Sequence, residues 1–420
     1  MRRAWIFLAL LLLAAPPVAR SQGDPLGPEF RVNTYTTGAQ SRPAVAVDPA
    51  GQFVVVWSGE GQDEPSLGVF GQRFASSGTP LGPEFRVNTY TTGLQESPSV
   101  ASDSAGNFVV AWASSGGYAG APADVFGQRH ASDGTPLGTE FRINTYTTSG
   151  QNDAAAASDP SGNFVVVWDG LGQDEASLGV FGQRFASSGT PLGPEFRVNT
   201  YTTDVQYAPS VAADSAGNFV VAWASSGGYG GTPADVFGQR YASDGTALGP
   251  EFQINTYTTY SQSTPAVAAD PAGNFVVVWS GQGQDEPSGI FGQRFAGSGA
   301  PLGPEFRVNT YTTDVQFGPS VATDSAGNFV VAWTSSGGYG GTPPDVFGQR
   351  YASDGTPLGP EFRINSFTTN GQTRSAVGAD PLGNFVVTWD SYGQDGSVAG
   401  IFGQRYGRIV PVELIRFGVE

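Results

Sequence analysis

The chain has 420 residues, no Cys, a single His and a formal charge of −17. These facts exclude disulfides, thiolate metal sites, Cys nucleophiles and a lipoprotein anchor, and they leave no basic face for nucleic acid. With Gly 60, Pro 30, 12 % aromatic and only 14 % charged residues, the composition is that of a turn-dense β protein with ample core, not a helical or disordered one.

The first element is an export segment. Arg2 and Arg3 precede an apolar run from Ala4 to Ala15, which Pro16 and Pro17 break. The run is too short to span a bilayer as a helix, which needs about 20 residues. Ala19 and Ser21 are small residues at the −3 and −1 positions of a cut after Ser21, so residues 1–21 read as a secretory signal peptide. No later stretch is long and apolar enough for a membrane span. An exported chain without Cys fits bacterial export.

Residues 22–406 are repetitive. Trp57, Trp112, Trp168, Trp223, Trp279, Trp333 and Trp389 mark seven copies, spaced 55, 56, 55, 56, 54 and 56 residues apart. Residues 66–92 and 177–203 are identical. Copies alternate in type: the segment after Trp57, Trp168, Trp279 and Trp389 contains Gly-Gln-Asp, and the segment after Trp112, Trp223 and Trp333 reads SSGGY.

Each copy holds four strand signals. In the first copy these are A (Pro43–Asp48), B (Gln52–Trp57), C (Val69–Phe74) and D (Glu84–Asn88). Asp48-Pro-Ala-Gly51 and Ser76–Pro80 are tight turns with Asp, Gly and Pro where a turn needs them. Strand B is apolar on both faces, with Phe53, Val55 and Trp57 on one and Val54 and Val56 on the other. Burial on both faces means that each small sheet lies between two others, which fits an all-β, seven-bladed β-propeller with four antiparallel strands per blade. The ends support this. Gly23–Asn33 is a strand D with no A, B or C before it, and the last copy stops after strand C. The N-terminal strand therefore completes the last blade and closes the ring. Residues 407–420 form a strand-like tail similar to the PVEL-x-x-F segments that follow folded domains in secreted bacterial proteins.

The motifs Phe-Gly-Gln-Arg-Phe/Tyr, Gly-x-x-Leu-Gly-x-Glu-Phe-x-Val/Ile-Asn and Gly-Asn-Phe-Val-Val-x-Trp resemble a repeat of secreted and surface proteins of bacteria, including very large adhesin-like chains. The resemblance implies an extracellular or cell-envelope location and a binding role, and lends no catalytic residues. The Asp-x-x-Gly turns loosely resemble the Asp-boxes of sialidase propellers but lack the Ser-x-Asp-x-Gly-x-x-Trp spacing, so sialidase activity is not carried over.

Strand order puts the tight A–B and C–D turns on one face and the longer B–C and D–A connections on the other, for example Ser58–Gly68 and Asn33–Arg42. The second face is the candidate binding surface. Its acidic residues Asp63, Glu64, Asp174, Glu175, Asp285, Glu286 and Asp395 read as a solvated acidic loop, or alternatively as oxygen donors of the kind calcium takes, without EF-hand spacing. Its aromatics Tyr35, Tyr90, Tyr146, Tyr201, Tyr257, Tyr311 and Phe367, with Tyr118, Tyr229 and Tyr339, suit stacking on sugar rings or packing between blades. Gln40, Gln95, Gln151, Gln206, Gln262, Gln316 and Gln372 precede each strand A and are expected around the channel mouth, as a ligand ring or as backbone ties. The repeated Arg of FGQR (Arg73 in the first copy) is expected to pair across strands with Glu84. His130 takes a position that is Phe or Tyr in the other copies and reads as a drifted aromatic.

Catalysis needs an asymmetric set of unlike groups, and here nearly every polar residue recurs. The sequence therefore reads as an exported, non-enzymatic module that binds glycan, polysaccharide or protein by multivalency, without an organic cofactor. The alternatives are a structural or interaction domain of the cell envelope and a glycoside hydrolase or lyase.

Overall fold

The computed structural model describes residues 25–409 apart from 64–65, 116–121, 175–176, 227–232, 284–287 and 338–342, and leaves the side chains of Asp63 and Asp174 undescribed. The described residues form seven four-stranded antiparallel sheets and no helix, so none of them forms a helix able to cross a membrane. Each sheet is a blade with strands A to D in chain order. Blade 1 comprises Gln40–Val47, Phe53–Asp63, Ser66–Phe74 and Phe85–Arg86. The A strands of consecutive blades pack side by side in a closed ring and form the innermost layer.

Ring closure is as the offset of the strands predicts. Phe30–Arg31 is the outer strand of blade 7, pairing Phe30 with Gly403 and Arg31 with Phe402. The missing C–D turn of that blade is supplied by both ends of the chain. Leu26 N donates to Arg405 O at 2.7 Å, and Ile409, fully buried, donates its N–H to Gly383 O.

The core consists of one cluster per blade boundary. Val54 and Val56 of blade 1 pack with Val100, Phe108, Val110 and Trp112 of blade 2. Phe53, Val55 and Trp57 pack with Val32, Val386 and Ile401 of blade 7. This is the two-sided burial of strand B made concrete. The glycine of FGQR is required by close approach: a Cβ on Gly71 would stand 2.7 Å from the Phe85 ring.

Two belts of hydrogen bonds tie neighbouring blades. Arg129 Nη1 donates to Ser187 O at 2.6 Å, Arg184 to Ser243 O and Arg240 to Gly297 O at 2.7 Å, each reaching the C–D turn of the next blade. Arg73 does the same to Asp133 O and Arg405 to Ser76 O, while Arg350 reaches Ile409 O in place of the absent turn. On the other face, Glu84 accepts from Thr34 N at 2.6 Å and Glu29 from Ser366 N at 2.7 Å, with an equivalent link at every boundary. The expected Arg73–Glu84 cross-strand pair is therefore corrected. The C–D ladder covers only Phe70 with Arg86 and Gly71 with Phe85, and both charged side chains turn outward to neighbouring blades.

Other corrections concern strand ends. Strand A begins at Gln40 rather than Pro43, and strand D pairs over two residues rather than five. Much of the expected B–C loop of blades 1 and 3 is hairpin, because strand B runs to Asp63 and Asp174 there.

His130 is a core aromatic, 1 % exposed and stacked on Phe108 at 4.8 Å. Its Nδ1 meets Gly134 O at 3.1 Å, while Nε2 has no partner. Burial holds its pKa below the ordinary histidine value. His130→Phe is expected to stabilise the fold by about 1 kcal/mol at pH 7 by removing an unsatisfied buried atom. The gain widens below about pH 6.5, where the unfolded imidazole takes a proton that the folded one resists. Denaturant midpoints of both proteins at pH 5 and pH 8 check this.

Candidate functional site

The glutamines are the first side chains to place. All seven are buried, at 0–1 % exposure. Trp57 Nε1 donates to Gln40 Oε1 at 3.0 Å, and the same bond joins Trp112 to Gln95, Trp168 to Gln151, Trp279 to Gln262, Trp333 to Gln316 and Trp389 to Gln372. A buried indole N–H needs an acceptor, and the amide supplies it. The glutamines are interior braces rather than a ligand ring. The indole bond forms in six blades, while in blade 4 Trp223 Nε1 and Gln206 Oε1 have no partner. The amides also bond loop backbone as expected, as Gln95 Nε2 does to Thr92 O and Gln206 Nε2 to Thr203 O.

The D–A loop aromatics are half-buried. Tyr35, Tyr146 and Tyr257 donate their hydroxyls to Gly61 O, Gly172 O and Gly283 O at 2.8, 3.1 and 3.3 Å, which ties each ring to the B–C hairpin of its own blade. Tyr311 donates to Asp314 Oδ2 at 3.1 Å. Tyr90, Tyr201 and Phe367 are likewise half-buried. Tyr118, Tyr229 and Tyr339 lie outside the described residues, as do Glu64, Glu175, Asp285 and Glu286 and the side chains of Asp63 and Asp174. Asp395 accepts from Asn33 Nδ2 and Ser397 N. No group of three or more metal-ligating side chains is assembled among the described residues.

What the repeat pattern conceals lies directly after each glutamine. Strand A bulges there, so that Arg42 and Pro43 face the single Trp57. The second residue after the glutamine has positive φ in every blade: Arg42 57°, Ser97 54°, Asp153 47°, Ala208 52°, Thr264 49°, Gly318 61° and Arg374 54°. For non-glycine residues this conformation costs energy and persists only where the surroundings hold it. The holding groups belong to the residue after Trp in the preceding blade. Asp390 Oδ1 accepts from Arg42 N at 2.9 Å, Ser58 Oγ from Ser97 N at 3.1 Å, Asp169 Oδ2 from Ala208 N at 3.3 Å and Ser280 Oγ from Gly318 N at 3.1 Å.

These bulges form a rim around the central channel on the B–C and D–A face. The two residues after each glutamine differ in every blade: Ser41-Arg42, Glu96-Ser97, Asn152-Asp153, Tyr207-Ala208, Ser263-Thr264, Phe317-Gly318 and Thr373-Arg374. The rim is therefore asymmetric on a near-symmetric ring. Blades 7, 1, 2 and 3 supply its charges. Arg42 Nη1 donates to Glu96 Oε2 and to Ser97 Oγ, both at 2.6 Å, across a blade boundary. Arg374 Nη1 donates to the fully buried Asp390 at 2.8 Å. Blades 4 and 6 supply Tyr207 and Phe317, the latter 37 % exposed.

The electrostatics are equally uneven. Burial pushes the Asp169 carboxyl up to about 7, with repulsion from Asp153 adding to it. Asp153 is exposed in the fold, so the upward push of partial desolvation, which Arg42 offsets and Glu96 reinforces, weighs little there. Burial raises Asp390 to about 7 in spite of Arg374 and the Arg42 amide. Such perturbed groups gathered at a mouth are a mark of functional sites. The signal that finds this rim in the sequence is internal variation: in closely similar copies, the residue pair at these positions differs in every one.

The opposite mouth is different. There the A–B turns of the blades surround a cavity of about 220 Å³ lined alternately by prolines, such as Pro49 and Pro160, and serines, such as Ser104 and Ser215. Its aspartates are consumed by their own turns. Asp103, for example, accepts from Ala105 N, Asn107 N and Asn107 Nδ2 at 2.8–2.9 Å.

No protein-family model and no curated protein matches the chain. Solved structures do match in shape. A polysaccharide lyase described as an ulvan lyase aligns with a TM-score of 0.56 at 12 % identity, over 90 % of this chain and 96 % of that one. A protein of unknown function from Dyadobacter fermentans gives 0.53 at 10 % identity, over 90 % and 97 %. An α-L-arabinanase of Penicillium chrysogenum complexed with arabinobiose gives 0.50 at 13 % identity, over 90 % and 98 %. At such identities the likeness speaks for the β-propeller fold and for nothing finer.

Proposed function

We propose that the chain is an exported bacterial β-propeller that binds a glycan or polysaccharide through the face bearing the B–C and D–A connections. The observation that carries this reading is the asymmetric rim. It gathers hydrogen-bonding groups on one side and aromatic rings on the other, the two elements that sugar hydroxyls and C–H faces require. The apolar run before Ser21 and the resemblance to bacterial surface repeats support export. The propellers of similar shape that act on polysaccharides are in keeping with a glycan ligand. The acidic B–C segments are taken as solvated loops; calcium binding there is the alternative, tested by adding a chelator.

A second reading, glycan cleavage, is favoured by one observation: the rim holds two carboxyls in unlike settings, Glu96 paired with Arg42 and Asp153 exposed. Carboxyls in unlike environments suit acid and base roles.

The test is a broad panel of immobilised glycans and polysaccharides probed with the purified chain, with calcium and with chelator. The expected result is saturable binding to a limited set without release of new sugar ends. Absence of binding by a well-folded sample contradicts the reading and favours a structural role in the envelope. Release of new ends favours the enzyme.

A further inference from the structure

We infer that the rim holds one binding site per propeller for an uncharged sugar chain, built from Arg42, Glu96, Asp153 and Arg374 on one side and Tyr207 and Phe317 on the other. The inference rests on the glycan reading and refines it. The repeats invite the opposite expectation of many equivalent loop sites.

Three observations support it. The first is uniqueness. The pairs of residues that make the rim are all different, so no rotation from blade to blade reproduces the constellation. The loop tyrosines that do repeat have hydroxyls tied to backbone carbonyls within their own blades, at Tyr35, Tyr146 and Tyr257.

The second is preorganisation. Arg42 is clamped between Glu96 and Ser97, and Arg374 is clamped by Asp390, yet both arginine side chains remain nearly half exposed. Their backbones are fixed in the left-handed region. Planar groups held in place before the ligand arrives bind hydroxyls without the cost of ordering long side chains. The exposed Phe317 ring adds a stacking surface two blades away from the Tyr207 position.

The third is charge. Each rim arginine is already bonded to an acidic side chain, Arg42 to Glu96 and Arg374 to Asp390, and Asp153 adds a further acidic group to the cluster. A uronate or sulfated sugar would meet paired cations and an unfavourable net field, whereas an uncharged sugar needs only donors and acceptors.

The experiment is isothermal titration of the full chain with uncharged oligosaccharides (arabino-, xylo-, cello- and manno-oligomers) and with oligogalacturonate as the acidic comparator. The inference expects one site per chain for an uncharged oligomer and weaker or no binding of the acidic one. Phe317→Ala and Arg42→Ala each lower affinity at least tenfold, whereas Tyr257→Phe leaves it unchanged. Thermal unfolding of each variant shows that the ring is intact, and Phe317→Tyr, which keeps the stacking face, retains affinity. Several equivalent sites, a preference for oligogalacturonate, or affinity untouched by the rim substitutions overturns the inference while leaving glycan binding in place. Failure to bind any glycan, on the panel as well, overturns the glycan reading itself.

Discussion

A chain beginning at Thr34 is expected to lose most of its stability. Removing the closing strand takes Val32 out of the cluster that contains Phe53, Trp57 and Ile401, and takes Phe30 from its contact with Phe74. Burying such side chains contributes roughly 1.5–3 kcal/mol each. Asn33, which accepts from Ile401 N at 2.7 Å, and Glu29, which accepts from Ser366, are lost with them, at roughly 1 kcal/mol per hydrogen bond. A loss of about 5 kcal/mol or more is comparable to the whole stability of many folded chains. The last blade also gains an unpaired edge along Ala399–Tyr406, a site for aggregation. Denaturant unfolding of the two chains reads the loss, and a synthetic peptide of residues 22–33 added to the shortened chain is expected to restore part of it. Equal stability of the two chains would show that the ring does not depend on this strand.

The second large effect is a dependence of stability on pH that runs opposite to ordinary acid denaturation. Burial lifts the Asp169 carboxyl to about 7 in the folded state, against about 3.9 for an unfolded Asp. Between these values the folded state holds more protons than the unfolded state, so stability falls as pH rises. The slope is roughly 1.4 kcal/mol per pH unit for this group. Below about pH 4 both states are protonated and the penalty is absent. Above about pH 7 it is complete. Asp169→Asn keeps an acceptor for the Ala208 amide without the charge, so it is expected to stabilise at pH 8 and to change little at pH 4. Unfolding midpoints from pH 4 to pH 8 test this, and a variant no more stable than the parent at pH 8 would contradict it.

The architecture was legible because it follows from periodicity. Trp spacing gave the number of blades, the two-sided strand B gave their stacking, and the offset of strand D gave the closure seen between Phe30 and Gly403. The polar residues were harder to place. Gln40 and Trp57 stand 17 residues apart, and only the bulged hairpin register brings amide and indole together. Arg73 and Glu84 lie on adjacent strands, which suggested a pair, but the ladder between those strands ends too soon. Both side chains satisfy the blade boundary instead. The rim escaped because repetition drew attention to what recurs. A working site on a symmetric ring is made by the positions that break the symmetry, and Glu96, Asp153, Tyr207 and Phe317 are unlike their counterparts.

The most direct test of this account is hydrogen exchange of the chain with and without a glycan that it binds. The account predicts protection at the starts of the innermost strands, around residues 41–42, 96–97, 152–153, 207–208, 317–318 and 373–374, with the opposite face unchanged. Protection confined to the A–B and C–D turns, or spread equally over all seven D–A loops, would contradict it.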